Sequence, residues 1–220
     1  LHCQNYMISQ EFDKISDRFN ILPETIVENA INQGCKSIAW TYNEPTIHLP
    51  FNKKTSLLAK RKNLKIVYVS NGYMSDQSLS EILNFVDAFN IDLKSMSQNF
   101  YKKICKADLN IVLNNLKRIY DADKHLEITN LLINGYNDST EEITKLANFI
   151  ADNLGCDIPL HFSRAFPYYK LNDISPTAED KLFEAKRIAD DCGLEYVYIG
   201  NLDCDTNRSE ERRVGKECRS

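Results

Sequence analysis

The 220 residues carry a formal net charge of −4, with 43% hydrophobic and 26% charged residues. This is the composition of a globular protein with a sizeable core. The acidic balance argues against a nucleic-acid-binding protein, which usually has a basic face. No apolar run approaches the roughly 20 residues of a membrane-spanning helix, so we expect no membrane partner and a cytoplasmic location. The seven cysteines are scattered and include no C-x-x-C pair, so we expect no complete zinc site and predict that most of the thiols are reduced and buried.

Short β-rich runs alternate with helical patterns along the chain. The predicted strands cover residues 37–43, 65–72, 88–94, 125–133, 159–165 and 196–201. The predicted helices cover residues 22–34, 75–86, 98–123, 139–155 and 177–193, with Pro23, Ser75, Ser139 and Thr177 as start signals. Six such units indicate an α/β fold with a parallel sheet in one domain. Periodicity leaves a doubly wound sheet and a (β/α) barrel both open.

Unusual polar residues gather where the predicted strands end, which is where parallel α/β folds bind ligands. They are Asn43-Glu44-Pro45, Ser70-Asn71-Gly72, Asp92, Lys94, Glu127, Thr129, Asn134-Gly135, His161, Ser163, Arg164 and Asn201. Residues two apart on a strand share a face, so Asp92 and Lys94 project together. Each feature alone has an ordinary alternative, such as an ion pair, a core histidine or a turn. Six of them at corresponding positions predict one shared polar site.

The chemistry of these side chains suits a zwitterionic amino acid joined to a nucleoside. The Glu44 carboxylate suits an ammonium group, and the Lys94 ammonium suits a carboxylate. Asp92 and His161 suit ribose hydroxyls. S-adenosylmethionine has this shape, and an aminoacyl nucleotide fits the same residues.

The segments CQNYMIS, TYNEP, SNG, IDLK and YVYIGN occur in this order and resemble the radical SAM superfamily. The resemblance is greatest to the pyruvate formate-lyase activating enzyme branch, and within it to the AmmeMemoRadiSam-system radical SAM proteins. It covers residues 1–201. The combination of TYNEPTI, NIDLK with FYKKIC, LEITNLLINGYND, and HFSRAFP with YYKL makes it specific.

The resemblance implies a partial (β/α)6 TIM-like barrel and a 4Fe–4S cluster held by three cysteines spaced C-x3-C-x2-C. Cys3 matches the third cysteine, so the other two, and the first strand of the barrel, are expected upstream of Leu1. The cluster would cleave S-adenosylmethionine reductively, giving a 5′-deoxyadenosyl radical that abstracts hydrogen from a small-molecule or protein substrate. An external electron donor such as flavodoxin or ferredoxin is implied as a partner.

The family's cofactor contacts can be carried onto this chain where its motifs match. His2 takes the aromatic position next to adenine, and Glu44 with Pro45 takes the segment that binds the methionine amine. Asn43 stands where the family has glycine. Ser70-Asn71-Gly72 matches the family's third-strand segment, although Val69 stands where activating enzymes often have aspartate.

The remaining contacts fall on later strands. The resemblance places Lys94 on the methionine carboxylate, Asp92 toward the ribose and His161 on the ribose. Thr129 stands where some members have arginine. No catalytic residue beyond these cofactor contacts is identified.

The two ends of the chain carry separate expectations. Residues 1–201 are expected to form a radical SAM core that is incomplete at its start, and residues 202–207 to begin a truncated C-terminal segment. Residues 208–220, RSEERRVGKECRS, resemble the translation of a sequencing adapter, so we predict a disordered artefact. A chain with one cluster cysteine is expected to be inactive. A glycyl-radical-enzyme activase acting on a protein glycine, and a non-catalytic nucleoside- or amino-acid-binding barrel, are the alternative functions.

Overall fold

A computed structural model of the chain describes residues 20–167 and 174–202. The predictions for His2, Cys3 and residues 203–220 lie outside the described residues. All six predicted strands are present, each slightly shorter than predicted. They are β1 (Ser37–Trp40), β2 (Lys65–Ser70), β3 (Ala88–Asp92), β4 (His125–Leu132), β5 (Leu160–Arg164) and β6 (Val197–Gly200).

Three of the four predicted start signals lie at helix starts, and helices separate the strands. They are α1 (Pro23–Asn32), α2 (Leu49–Lys60), α3 (Asp76–Leu83), α4 (Leu109–Asp121), α5 (Thr140–Asn153) and α6 (Glu179–Asp191). A 3-10 turn covers Pro45–His48, and a short helical turn at Gln98–Phe100 runs into a π-helical turn at Tyr101–Cys105.

The N-caps follow the sequence signals at two helices and depart from them at a third. The Ser75 side chain accepts a hydrogen bond from the Ser78 amide, and that of Ser139 accepts one from the Glu142 amide. These bonds satisfy donors that the first helical turn leaves open. Thr177 was predicted to cap α6, but Ala178 is the N-cap. The Thr177 hydroxyl instead donates to the Leu132 carbonyl at 2.6 Å, because this buried group has a closer partner at the end of β4.

The strands form one six-stranded sheet in the order β1-β2-β3-β4-β5-β6. The pairings of β1 with β2, β2 with β3, β4 with β5, and β5 with β6 are parallel. A doubly wound sheet reverses its strand order at a switch point. The sequential order therefore confirms the α/β fold of the partial (β/α)6 barrel class over the doubly wound alternative.

Burial alternates along the strands and separates two faces of the sheet. The buried positions, such as Ile66, Ile91, Ile128 and Phe162, form the apolar core with the helices. The intervening positions of β3, β5 and β6, and those of β4 beyond His125, are only half-buried. The predicted residues Asp92, Thr129 and His161 lie on this half-buried face. A polar, half-buried face beside an apolar core is typical of a sheet that lines a ligand site.

The chain divides into two compact units. We call residues 20–91 and 111–126 the N-unit, and residues 92–110, 127–167 and 174–202 the C-unit. The N-unit contains β1, β2, most of β3 and most of α4, and the C-unit contains most of β4 with β5, β6, α5 and α6. Within the described ranges, no helix is both long enough and apolar enough to cross a membrane.

Candidate functional site

The N-unit orients the Glu44 carboxylate with several hydrogen bonds from uncharged donors. Oε1 accepts from the Thr46 amide at 3.2 Å, from the Thr46 hydroxyl at 2.6 Å and from the Ser70 hydroxyl at 2.9 Å. Oε2 accepts from the Asn71 amide at 2.9 Å. The structure therefore brings the predicted residues Glu44, Ser70 and Asn71 together. Because these donors are neutral, they fix the carboxylate without cancelling its charge.

The loop after β2 is shaped to present these donors. Gly72 has φ +71°, and a Cβ there would meet Ile91 Cγ2 at 2.8 Å and Val112 Cγ1 at 3.1 Å. Only glycine fits both the left-handed backbone and the lack of space. The buried Asn115 on α4 donates to the Gly72 and Met74 carbonyls at 2.9 and 2.8 Å. The sequence analysis did not identify Asn115, because an amide on a helix face carries no site signal of its own.

The segment around Pro45 is held by the helix that follows it. The buried Asn52 side chain donates to the Pro45 carbonyl at 2.8 Å. Burial raises the pKa of Tyr68 to about 12. The predicted residue Asn43 is half-buried directly before Glu44. The Asn52 bond thus fixes the Pro45 end of the turn that carries Glu44.

In the C-unit the predicted residues form two polar pairs. Lys94 Nζ lies 3.0 Å from Asp92 Oδ2, as expected for residues two apart at the end of one strand. His161 Nε2 lies 2.8 Å from Glu127 Oε2. The predicted residue Thr129 is in register with His161 on the neighbouring strand. Four of these predicted groups are thus brought into two pairs, each partly exposed to solvent.

The ring of Tyr198 on β6 is a further member of this face that sequence reasoning missed. It stacks on His161 with ring centroids 5.1 Å apart and an interplanar angle of 21°. The register of β5 with β6 places the two residues side by side. The sequence could not predict that these two residues are neighbours, because the pairing of β5 with β6 is known only from the structure. The stack and the Glu127 contact together fix the plane of the imidazole.

The thiols of the described part do not form a metal site. In residues 20–167 and 174–202, no group of three or more His, Cys, Asp or Glu side chains could hold a metal ion. Cys35, Cys105, Cys156 and Cys192 are free. Their predicted burial is wrong, since Cys35 and Cys156 are exposed and the other two are half-buried. All four lie at a helix end or within three residues after one, where the chain runs over the surface.

The residues present fit S-adenosylmethionine by their chemistry. A carboxylate held by neutral donors can accept an ammonium group, and the Asp92–Lys94 pair offers one group for a carboxylate and one for a hydroxyl. The predicted ligand of the cluster, Cys3, lies outside the described residues.

Comparison with protein families gives a match to the radical SAM superfamily over residues 1–150. The chain is also 43% identical over 203 residues to the uncharacterized protein MJ0808 of Methanocaldococcus jannaschii, covering 92% of this chain and 60% of that protein. It is 23% identical over 176 residues to the 4-hydroxyphenylacetate decarboxylase activating enzyme of Clostridioides difficile, covering 79% of this chain and 50% of the enzyme. The chain thus spans about half to 60% of the length of these relatives.

Solved structures agree in fold. A domain of pyruvate-formate lyase-activating enzyme from Bacteroides vulgatus matches with a TM-score of 0.64 and 21% identity, over 74% of this chain and 98% of the domain. Streptococcus suis SuiB, solved bound to S-adenosylmethionine, matches with a TM-score of 0.65 and 13% identity, over 87% of this chain and 46% of SuiB. The predicted resemblance to radical SAM and activating-enzyme proteins is confirmed. The chain belongs to the radical SAM superfamily, a family of enzymes.

Proposed function

We propose that the chain is the core of a radical SAM enzyme that binds S-adenosylmethionine at the carboxyl ends of its strands. Membership of the family implies a 4Fe–4S cluster and this cofactor. One observation in the structure carries the assignment. The Glu44 carboxylate, predicted to bind the methionine amine, is oriented by Thr46, Ser70 and Asn71 while keeping its charge.

Each candidate residue has a role that its environment supports. In the N-unit, Glu44 binds the amine, and the Asn43 to Pro45 turn and the Ser70 to Gly72 loop hold it in place. In the C-unit, Lys94 binds the methionine carboxylate and Asp92 a ribose hydroxyl. His161, with its ring held by Glu127 and Tyr198, binds the ribose beside Thr129. His2 is assigned to the adenine and Cys3 to the cluster.

When bound, the cluster and S-adenosylmethionine supply a 5′-deoxyadenosyl radical that abstracts hydrogen from the substrate. The protein residues bind, orient and shield the cofactor. The substrate is a small molecule or a protein, and flavodoxin or ferredoxin is the proposed class of electron donor. Residues 1–201 form the proposed core, and a cytoplasmic location is part of the proposal.

Activation of a glycyl-radical enzyme is the second candidate function. The similarity to the 4-hydroxyphenylacetate decarboxylase activating enzyme favours it, because that relative activates another enzyme. The motif combination TYNEPTI and LEITNLLINGYND instead favours similarity to the AmmeMemoRadiSam-system proteins. On that similarity we propose a substrate other than a protein glycine.

The test uses the full-length protein, reconstituted anaerobically with iron and sulfide. We expect 4Fe–4S absorbance and the reductive formation of 5′-deoxyadenosine and methionine. Glu44→Gln should weaken S-adenosylmethionine binding about tenfold or more, the size of a lost charge-assisted hydrogen bond. Glu141→Gln is the matched control, because Glu141 is an exposed helix residue paired with Lys145. Absence of both the cluster and the cleavage would refute the proposal, and cofactor binding without cleavage would favour the non-catalytic barrel.

A further inference from the structure

The backbone of Lys94 lies just beyond the end of β3 and is held by buried side chains of the C-unit. The Lys94 amide donates to the Tyr101 hydroxyl at 3.1 Å, and the Lys94 carbonyl accepts from Asn137 Nδ2 at 2.6 Å. The preceding carbonyl, of Leu93, accepts from Asn130 Nδ2 at 2.7 Å. Side chains from three other segments therefore determine where this peptide lies.

Asn137 connects Lys94 to the turn after β4. Its Oδ1 accepts from the Ile133 amide at 2.7 Å, and its Nδ2 also donates to the Leu131 carbonyl at 2.9 Å. These two bonds fold the turn NGYND, whose Asp138 accepts from the Gly135 amide at 3.0 Å. The turn thus orients Asn137 locally before the residue reaches across to Lys94. With only 2% of Asn137 exposed, no water replaces these bonds easily.

The next residues of the segment are held from the same side. The Glu142 carboxylate, in the first turn of α5, accepts from the Ser95 hydroxyl and the Met96 amide. Ser95 is fully buried. The segment from Leu93 to Met96 is therefore held along its length by β4, by the turn after it and by the start of α5. The NGYND motif, to which the proposed function gives no role beyond a turn, is part of this support.

We propose that Asn137 is a positioning residue that fixes the Lys94 ammonium for the cofactor carboxylate. The inference rests on the proposed role of Lys94. A lysine stem is long and flexible and does not fix its ammonium by itself. The position of the ammonium is therefore set by where the stem starts, at the Cα, and by the Asp92 contact at 3.0 Å. Loss of the Asn137 bond removes one support of the Lys94 peptide and moves the start of the stem. Misplacement on the scale of an ångström is enough to weaken such a contact.

A purely structural Asn137 would behave differently from a positioning residue. A structural role predicts lower stability and equal weakening of every ligand of this unit. A positioning role predicts selective weakening of ligands that carry the carboxylate. Decarboxylated S-adenosylmethionine lacks only that group, so comparison of the two ligands separates the two roles.

The experiment measures equilibrium binding of both ligands to the full-length protein, to four single variants and to one double variant. Asn137→Ala should weaken binding of S-adenosylmethionine about fivefold to tenfold, and that of the decarboxylated ligand less than about twofold. Tyr101→Phe keeps the buried ring and removes only the acceptor for the Lys94 amide. It should shift the ratio of the two affinities in the same direction, which keeps the test open if Asn137→Ala folds poorly.

Lys94→Met and Thr177→Val complete the set. Thr177→Val removes one buried hydrogen bond to the end of β4 without touching Lys94, so both affinities should stay unchanged. In the Lys94→Met background, Asn137→Ala should have no further effect on either ligand. If Lys94→Met is selective but Asn137→Ala leaves the ratio of the two affinities unchanged, for example by weakening both ligands equally, the inference about Asn137 is overturned. The assignment of Lys94 to the carboxylate would then still stand. A Lys94→Met variant with no selectivity would overturn the carboxylate assignment and the inference with it.

Discussion

The two units hold their candidate charged groups in opposite ways. In the N-unit, the donors to Glu44 are the uncharged groups of Thr46, Ser70 and Asn71. In the C-unit, the Lys94 ammonium faces the Asp92 carboxylate as an ion pair, and the His161 ring hydrogen-bonds the Glu127 carboxylate. Neutral dipoles orient a charge without cancelling it, whereas an ion pair cancels it.

This difference bears on what each set can bind. None of the donors to Glu44 is a cation, so a bound cation would not compete with them for the carboxylate charge. In the C-unit a ligand carboxylate must share Lys94 with Asp92, so the position of the ammonium matters more than its charge. The long support of the segment from Leu93 to Met96 is consistent with that requirement. Substitutions at Gly72, Asp87 and Ser70 test this difference, in order of decreasing expected effect.

Gly72→Ala should break the neutral-donor arrangement most severely. The added methyl group meets Ile91 at 2.8 Å, and the residue must also hold φ +71°. Left-handed backbone and overpacking together predict a loss of about 2–4 kcal/mol in the free energy of unfolding.

Gly34→Ala is the matched control for this variant, since Gly34 has φ +70° and a Cβ there would meet no atom within 4 Å. It should lose about 1–2 kcal/mol from backbone strain alone. Urea unfolding measures both. Equal losses at the two positions would show that the packing around the Ser70 to Gly72 loop is not tight.

The fold could be predicted from the sequence because its strands are short, β-rich and bounded by turn residues. Helix α2 received no predicted bounds, and its buried face explains why. That face carries Asn52, Thr55 and Ser56, and the Trp40 indole donates to Ser56 at 3.0 Å. A helix that buries polar side chains shows no apolar period, so the usual signal is absent.

The candidate site could be predicted as a set of residue types but not as a set of contacts. Glu44, Asp92, Lys94 and His161 were found from chemistry at strand ends and from family motifs. The supporting residues Asn115, Asn137 and Tyr198 were missed, because their roles depend on long-range contacts that exist only after folding. Local sequence patterns do not encode these partners.

Asp87 tests whether neutral donors are a property of the whole N-unit. This carboxylate follows α3 and is held by charge, with Lys60 Nζ at 2.8 Å, Lys65 Nζ at 3.6 Å and the Ile66 amide at 2.9 Å. Partial burial would raise the pKa of Asp87, but the hydrogen bonds and charges of these neighbours outweigh it and hold the pKa below its ordinary value. Asp87→Asn should cost about 1–3 kcal/mol at neutral pH.

The pH dependence of this cost has a defined sign. Because the folded pKa is lowered, the stabilisation is complete above the unfolded value of about 3.9 and is lost as the pH falls through the folded value. The gap in unfolding free energy between the wild type and Asp87→Asn should therefore close in acid. Glu141→Gln, at an exposed helix pair, should leave stability nearly unchanged. A gap that stays constant to low pH would contradict the ion-pair reading of Asp87.

Ser70→Ala should have the smallest effect of the three N-unit substitutions, and its salt dependence can be compared with that of the C-unit. The buried hydroxyl donates to Glu44 and accepts from the Gly72 amide at 3.1 Å, so its loss should cost about 1–2 kcal/mol. Because the hydroxyl is neutral, the cost should be the same at about 50 mM and about 500 mM salt. Lys94→Met removes a partly exposed ion pair, and its cost, at most about 1 kcal/mol, should shrink as salt rises. A salt-dependent Ser70→Ala, or a salt-independent Lys94→Met, would remove the distinction between neutral and charged support.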